Sequence, residues 1–310
     1  MRISLVTGLN NRSPLESSVR ELNRAREEGF ARVWFTQMPS DVDLLTVLAA
    51  AVREVPDVEV ASGVIPIQNQ HPMLMAQRAL TLNLLAGGRF TLGVGVTHRV
   101  VTEGMWGISW DRSAKRLAEY LDGLLPLLAG EPVDVEGELV TTRGALTIPD
   151  APVPPVYVAA LGPQMLRVAG RRAAGTLTWM TGPATLRTHI GPSLRAAAVD
   201  AGRSERAVAV AAALPVSVTD QVDPARSLAA TQFAMYGTLP SYRAMLDREG
   251  FTGPEDTALI GDEATVWAQL DDLRDAGVDE FVAIPFDRTP EVAARTRAAL
   301  RAWELRGAAH

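Results

Sequence analysis

Val58-Glu59-Val60-Ala61-Ser62-Gly63-Val64 is followed, after a polar loop, by His71–Leu85, by the pair Gly87-Gly88, and then by Phe90-Thr91-Leu92-Gly93-Val94. The two outer segments are short and nearly continuously apolar, the pattern of strands covered on both faces. The middle segment has the length of a helix, and a glycine pair stops it. Strand, helix and strand in that order make a βαβ unit of a parallel sheet.

The same alternation extends in both directions. Ile3–Val6 reads as strand one, and Ser13-Pro14-Leu15-Glu16 supplies an N-cap, a first-turn proline and a capping-box glutamate for the helix carrying Leu15, Val19 and Leu22. Val33–Thr36 is strand two, and Leu44, Leu45, Leu48 and Val52 mark the next helix. Downstream, Ser113–Leu128 presents Leu117, Leu121, Leu124 and Leu128 on one stripe. Strands five to eight are Val156–Ala160, Thr176–Met180, Val208–Val218 and Phe281–Ile284, and helices fall at Pro163–Arg172, at Leu186–Ala201 and from Thr289 to about Arg306. Eight strands alternating with helices predict an α/β fold, a (β/α)8 TIM barrel, as a single domain over residues 1–310. A doubly wound open sheet competes, but no Gly-rich dinucleotide fingerprint follows strand one. Two segments exceed what the barrel needs. Residues 131–155 carry five prolines and read as an inserted hairpin around Glu136-Gly137-Glu138. Residues 219–278 hold several helical pieces, among them Ala264–Ala276, and form a candidate lid.

Composition narrows the function. With 47% hydrophobic residues the chain can build a large core. A formal charge of −6 without any basic block argues against nucleic-acid and anionic-membrane partners. No window is apolar enough for a membrane span, and the N-terminal apolar run is too short for a signal peptide, so a cytoplasmic location is expected. There is no cysteine, which excludes disulfides, thiolate zinc sites, iron–sulfur clusters and a cysteine nucleophile. Lys115 is the only lysine, which disfavours Schiff-base chemistry. His71, His98, His189 and His310 do not have metal-ligand spacing.

In a (β/α)8 barrel the site lies at the carboxyl ends of the strands, so the candidates stand just after each apolar run. Thr36 and Gln37 follow strand two. Ser62, Gly63 and Val64 end strand three, where a glycine marks a bulge, a kink or the close approach of a ligand to the backbone. Gly95, Thr97 and His98 follow strand four, and His98 is the one titratable group there suited to proton transfer near neutral pH. Ala159, Ala160, Leu161 and Gly162 open a helix whose first N–H groups could take a phosphate, or simply turn the chain. Thr181 and Gly182 repeat that arrangement after strand six. Trp106, Trp110, Tyr236, Tyr242 and Phe251 fall in predicted loops, as pocket walls or as covered core.

These segments resemble the luciferase-like monooxygenase superfamily and, within it, the coenzyme F420-dependent oxidoreductases. The residues that carry the likeness are Val33-Trp34-Phe35-Thr36-Gln37, Val60-Ala61-Ser62-Gly63-Val64, His71-Pro72-Met73-Leu74-Met75-Ala76-Gln77, Gly87 through Gly95, Tyr157 through Pro163, and Ala174-Gly175-Thr176. The resemblance implies a TIM barrel, a non-prolyl cis peptide at Gly63–Val64 behind a flavin or deazaflavin ring, and phosphate contacts at Ala160, Leu161 and Gly162. It implies hydride transfer between C5 of F420 and a small-molecule substrate, with FMN as the alternative cofactor, and a homodimer. Some relatives carry an acidic residue near the position of His98 and a histidine near that of Gln37. Here an imidazole replaces the first and an amide the second, so His98 and Gln37 are the catalytic candidates. An FMN monooxygenase and a catalytically silent cofactor-binding barrel are the competing readings.

Overall fold

The structure is a computed structural model that describes residues 1–287 and 289–308; His310 lies outside the described residues. Eight parallel strands close on themselves: β1 (Arg2–Thr7), β2 (Arg32–Phe35), β3 (Glu59–Ser62), β4 (Phe90–Gly95), β5 (Val156–Ala159), β6 (Gly175–Trp179), β7 (Ala209–Val218) and β8 (Glu280–Pro285). Each strand pairs with the next, and β8 pairs back to β1 with Arg2 opposite Glu280 and Ile3 opposite Phe281. The open-sheet alternative is thereby removed, because every one of the eight strands has a neighbour on both sides and none is an edge.

Around the barrel lie α1 (Pro14–Glu27), α2 (Leu44–Glu54), α3 (Pro72–Leu85), the short α4 (Arg99–Gly104), α5 (Ser113–Leu128), α6 (Pro163–Arg172), α7 (Gly191–Val199), α8 (Val222–Gln232), α9 (Pro240–Glu249), α10 (Glu263–Asp275) and α11 (Pro290–Ala308). Leu117, Leu121, Leu124 and Leu128 of α5 are all buried, and each such side chain contributes about 1.5–3 kcal/mol relative to exposure. Ser13 precedes α1, but its hydroxyl makes no capping bond to the helix, so the capping box expected of Ser13 and Glu16 does not form. Its place is taken upstream, where Asn10 Oδ1 accepts from the N–H groups of Arg12 and Ser13.

An antiparallel pair, Val133–Glu136 with Thr141–Gly144, lies between α5 and β5. The Glu119 carboxylate of α5 holds its turn, accepting from the N–H groups of Leu139 at 2.7 Å and Val140 at 2.9 Å. Gly123 lets the helix approach the hairpin closely: a Cβ there would lie 2.3 Å from Thr142 Oγ1.

Two clusters fill the barrel axis. Trp34, Ala61, Ala211, Ala213 and Val282 pack at its centre. At the end where the strands begin, the buried Glu280 carboxylate accepts from Ser4 Oγ at 2.5 Å, Trp34 Nε1 at 2.8 Å and Arg32 Nη1 at 2.7 Å. That end is a plugged, charge-satisfied core, which leaves the opposite end for ligands.

Candidate active site at the carboxyl ends of the strands

β3 stops at Ser62, and the Gly63–Val64 peptide that follows is cis. The chain then resumes beside β4, with Ile65 opposite Val94 and Pro66 opposite Gly95. Two glycines of β4 make this possible. A Cβ on Gly93 would stand 1.9 Å from Ser62 O, and one on Gly95 would stand 2.9 Å from Val64 Cγ2 and 3.0 Å from Ala159 Cβ. Val64, Gly95 and Ala159 therefore sit side by side at the mouth as a low wall of small groups.

Ser62 does not present its hydroxyl to that mouth. It is fully buried, its Oγ donates to Gly93 O at 2.9 Å and accepts from Gly93 N at 2.8 Å. The expectation of a cofactor contact from Ser62 is corrected to that of a brace between β3 and β4. Gln37 is partly exposed and lines a cavity with Met38, Pro66 and Trp106, while its amide is also used locally. Its Oε1 accepts from Leu44 N at 2.8 Å at the start of α2, and its Nε2 donates to Val42 O at 3.4 Å, so the amide shapes the 37–44 loop. Thr36 continues the sheet through its N–H to Thr7 O at 3.0 Å.

After β4, Thr97 donates its N–H to Gln68 Oε1 at 3.4 Å. The other end of that amide, Gln68 Nε2, is buried and has no acceptor. His98 precedes α4, a helix that periodicity did not reveal because six residues are too few to show a stripe. Its carbonyl accepts from Val101 N at 2.9 Å and Thr102 N at 3.0 Å, which fixes the backbone while leaving the imidazole free of capping duty. Burial holds its pKa below the ordinary histidine value, so the ring is neutral at physiological pH.

The turn from β5 into α6 is open at Gly162. A Cβ on Gly162 would meet nothing within 4 Å, and Gly162 is the N-cap of α6 with no side-chain partner. The N–H groups of Gln164 and Met165 in the first turn have no intrahelical acceptor. His189, buried, bonds Leu161 O through Nε2 at 2.9 Å and so sets the orientation of that turn. Sequence reasoning treated His189 only as a non-ligand, because its partner lies 28 residues away in the chain.

The corresponding turn after β6 is different. Thr181 is fully buried and donates its hydroxyl to Trp179 O at 3.2 Å. The backbone N–H groups of Ala184 and Thr185 are taken by the Glu249 carboxylate at the end of α9, and a Cβ on Gly182 would stand 2.6 Å from Glu249 Cδ. The chain's own carboxylate stands where Thr181 and Gly182 were expected to meet a phosphate.

Above the mouth the 219–278 segment contributes a run of edge-on aromatic contacts. His98 meets Tyr242 at 5.9 Å, Tyr242 meets Tyr236 at 5.2 Å, Tyr236 meets Trp179 at 5.4 Å, and Phe233 links Trp179 to Phe286 at 5.7 and 5.8 Å. Each such pair adds about 0.5–1.5 kcal/mol beyond area burial. Trp179 Nε1 is buried beneath this cover, beside the Tyr236 hydroxyl. Tyr242 is deeply covered, and burial pushes its phenol well above the usual tyrosine range.

A closed (β/α)8 barrel with free main-chain N–H groups at the carboxyl ends of its strands has the layout of an α/β-barrel enzyme. The chain belongs to the luciferase-like monooxygenase family, whose profile matches residues 3–280. It is similar to a 5,10-methylenetetrahydromethanopterin reductase from Methanolobus tindarius, 29% identical over 205 residues that cover 66% of this chain and 62% of the relative. It is also similar to an F420-dependent glucose-6-phosphate dehydrogenase from Beutenbergia cavernae, 34% identical over 192 residues, covering 60% and 56% respectively. The matches thus span about three-fifths of those relatives' lengths. The coenzyme F420-dependent tetrahydromethanopterin reductase of Methanopyrus kandleri superposes with a TM-score of 0.79 over 97% of this chain and 98% of that one, at 22% identity, which establishes the shared fold.

Proposed function

We propose that this chain is an F420-dependent oxidoreductase that moves a hydride between the deazaflavin and a small organic substrate. The observation that carries the reading is the turn into α6, where Gly162 caps the helix without a side-chain partner, a Cβ would meet nothing within 4 Å, and the first N–H groups have no intrahelical acceptor. The low wall of Val64, Gly95 and Ala159 suits the ring's face, and the free N–H groups of α6 beside Leu161 and Gly162 suit its phosphate.

When bound, the deazaflavin supplies the hydride or receives it. His98, held neutral by burial, takes the proton that accompanies the transfer or returns it. Tyr236, Tyr242 and Trp179 exclude water above the reacting face. Thr97 and Gln68 fix one edge of the mouth, and His189 fixes the other through Leu161. The same reading takes residues 1–310 as one domain with insertions at 131–155 and 219–278, working as a cytoplasmic homodimer.

Titration of the purified protein with F420 and, separately, with FMN tests this. F420 is expected to bind with quenched fluorescence and FMN at least 10-fold more weakly. Preferential FMN uptake would replace the proposal by the monooxygenase reading, and uptake of neither would reduce the chain to a barrel without this cofactor.

A further inference from the structure

His71 and His189 are tethered through Nε2, to Thr141 O and Leu161 O. The His98 ring has no such hydrogen bond among the described residues. An untethered imidazole can turn about both of its side-chain bonds, and proton transfer needs it within hydrogen-bond reach of one atom. The aromatic neighbour of His98 is Tyr242, whose ring meets it at 5.9 Å between centroids and 61° between planes.

Tyr242 is firmly placed. It stands on α9, whose Met245 and Leu246 are buried. At the far end of the same helix the Glu249 carboxylate accepts from the N–H groups of Ala184 and Thr185 after β6. Tyr242 and Glu249 are seven residues apart, about 10 Å along a helix, and β4 and β6 flank β5 at two strand spacings, also about 10 Å. The helix thus reaches from the β4 side of the mouth to the β6 side and is fixed at both. Tyr242 is braced in turn by Tyr236 at 5.2 Å, and Tyr236 by Trp179 at 5.4 Å.

The charges around His98 are engaged elsewhere. Arg99 pairs with Glu103 and Asp111 in the segment that His98 opens. On α9, Arg243 is held by Asp247 and by the carbonyls of Phe251 and Thr252, and Glu249 by the turn after β6. What faces the imidazole is phenol, and burial raises the pKa of both Tyr236 and Tyr242, so they stay neutral. Burial is accordingly the cause of the lowered His98 pKa.

We propose that Tyr242 is the positioning residue of this site: carried across the mouth on α9, its ring holds the His98 imidazole in one orientation under cover. The role of that contact in turnover rests on the F420 reading, but the contact itself does not.

NMR of the histidine-labelled protein without cofactor tests it, with His98→Gln identifying the signal. In the unaltered chain the two rings should show a through-space proton contact. Tyr242→Ala should raise the His98 midpoint by about half a pH unit toward 6.5, because the cover that penalises the imidazolium is gone. Tyr242→Phe keeps the ring and should leave the midpoint in place. In turnover with F420, Tyr242→Ala should lower kcat by about 10-fold or more with KM within about 2-fold, and Tyr242→Phe should restore it. Near-UV circular dichroism checks the fold, and if the Ala variant is not folded, Tyr242→Leu, which lacks the ring but keeps bulk, takes its place in the rate comparison. No ring contact in the unaltered chain, a His98 midpoint unmoved in Tyr242→Ala, or a Phe variant that behaves like the ringless one each overturns the proposal. Failure of the unaltered chain to turn over F420 would strike the cofactor reading instead, and the NMR result would still decide the placement of His98.

Discussion

Replacing Gly162 should move stability and cofactor affinity in opposite directions. Gly162 sits at φ −79° and ψ 157°, a conformation open to any residue, and an added Cβ meets nothing within 4 Å. Gly162→Asp therefore introduces no clash. It places a good N-cap acceptor before α6, which should gain a few tenths of a kcal/mol over glycine. The same carboxylate occupies the N–H groups offered to the phosphate and adds a like charge. Two unit charges about 5 Å apart, at an effective dielectric constant between about 20 and 80, repel by about 1–3 kcal/mol. That corresponds to about a 5- to 150-fold rise in the F420 dissociation constant. Gly162→Ala is the control, without charge and with a small loss of capping. Thermal unfolding and fluorescence titration of the three proteins supply both readouts. A destabilised Asp variant would refute the steric argument, and unchanged F420 affinity in a stable Asp variant would place the phosphate away from α6.

His98→Ala is expected to slow turnover by about 100-fold or more while F420 still binds, the scale of a positioned proton-transfer group; steady-state rates beside a binding titration would show it. Because burial penalises the imidazolium, the neutral form is complete above the ordinary value of 6.5 and is lost only as pH falls through the lower folded value. The acidic limb of kcat/KM should thus have its midpoint below pH 6.5, and a midpoint above it would assign the limb to another group. Glu280→Ala should leave Trp34 Nε1 without an acceptor and Arg32 with Glu59 as its remaining carboxylate. Breaking a buried pair in this way costs about 3–5 kcal/mol. For 310 residues this is a fall of about 5–8 °C in Tm, and a shift below about 2 °C by circular dichroism would contradict the role assigned to the plugged end.

Periodicity carried the architecture. β4 is readable because both of its faces are buried, which forces a run of apolar or small residues, and α5 because one face must be apolar every three to four positions. The glycines at 63 and 95 were legible as points of close approach, since a missing Cβ is itself a sequence signal, whereas Gly162 stands in open space. Tertiary structure alone decided how the polar side chains are used. Ser62 and Gln37 look like ligand groups in the chain, yet each is spent on a nearby main-chain group. His189 looks idle, yet it holds Leu161. Glu249 reaches the turn after β6 from 64 residues away in the chain, and Tyr242 reaches His98 from the excursion between β7 and β8. Backbone conformation and burial are local demands that leave periodic traces in the chain. The partner of a polar atom is chosen by proximity in space, which sequence spacing does not encode.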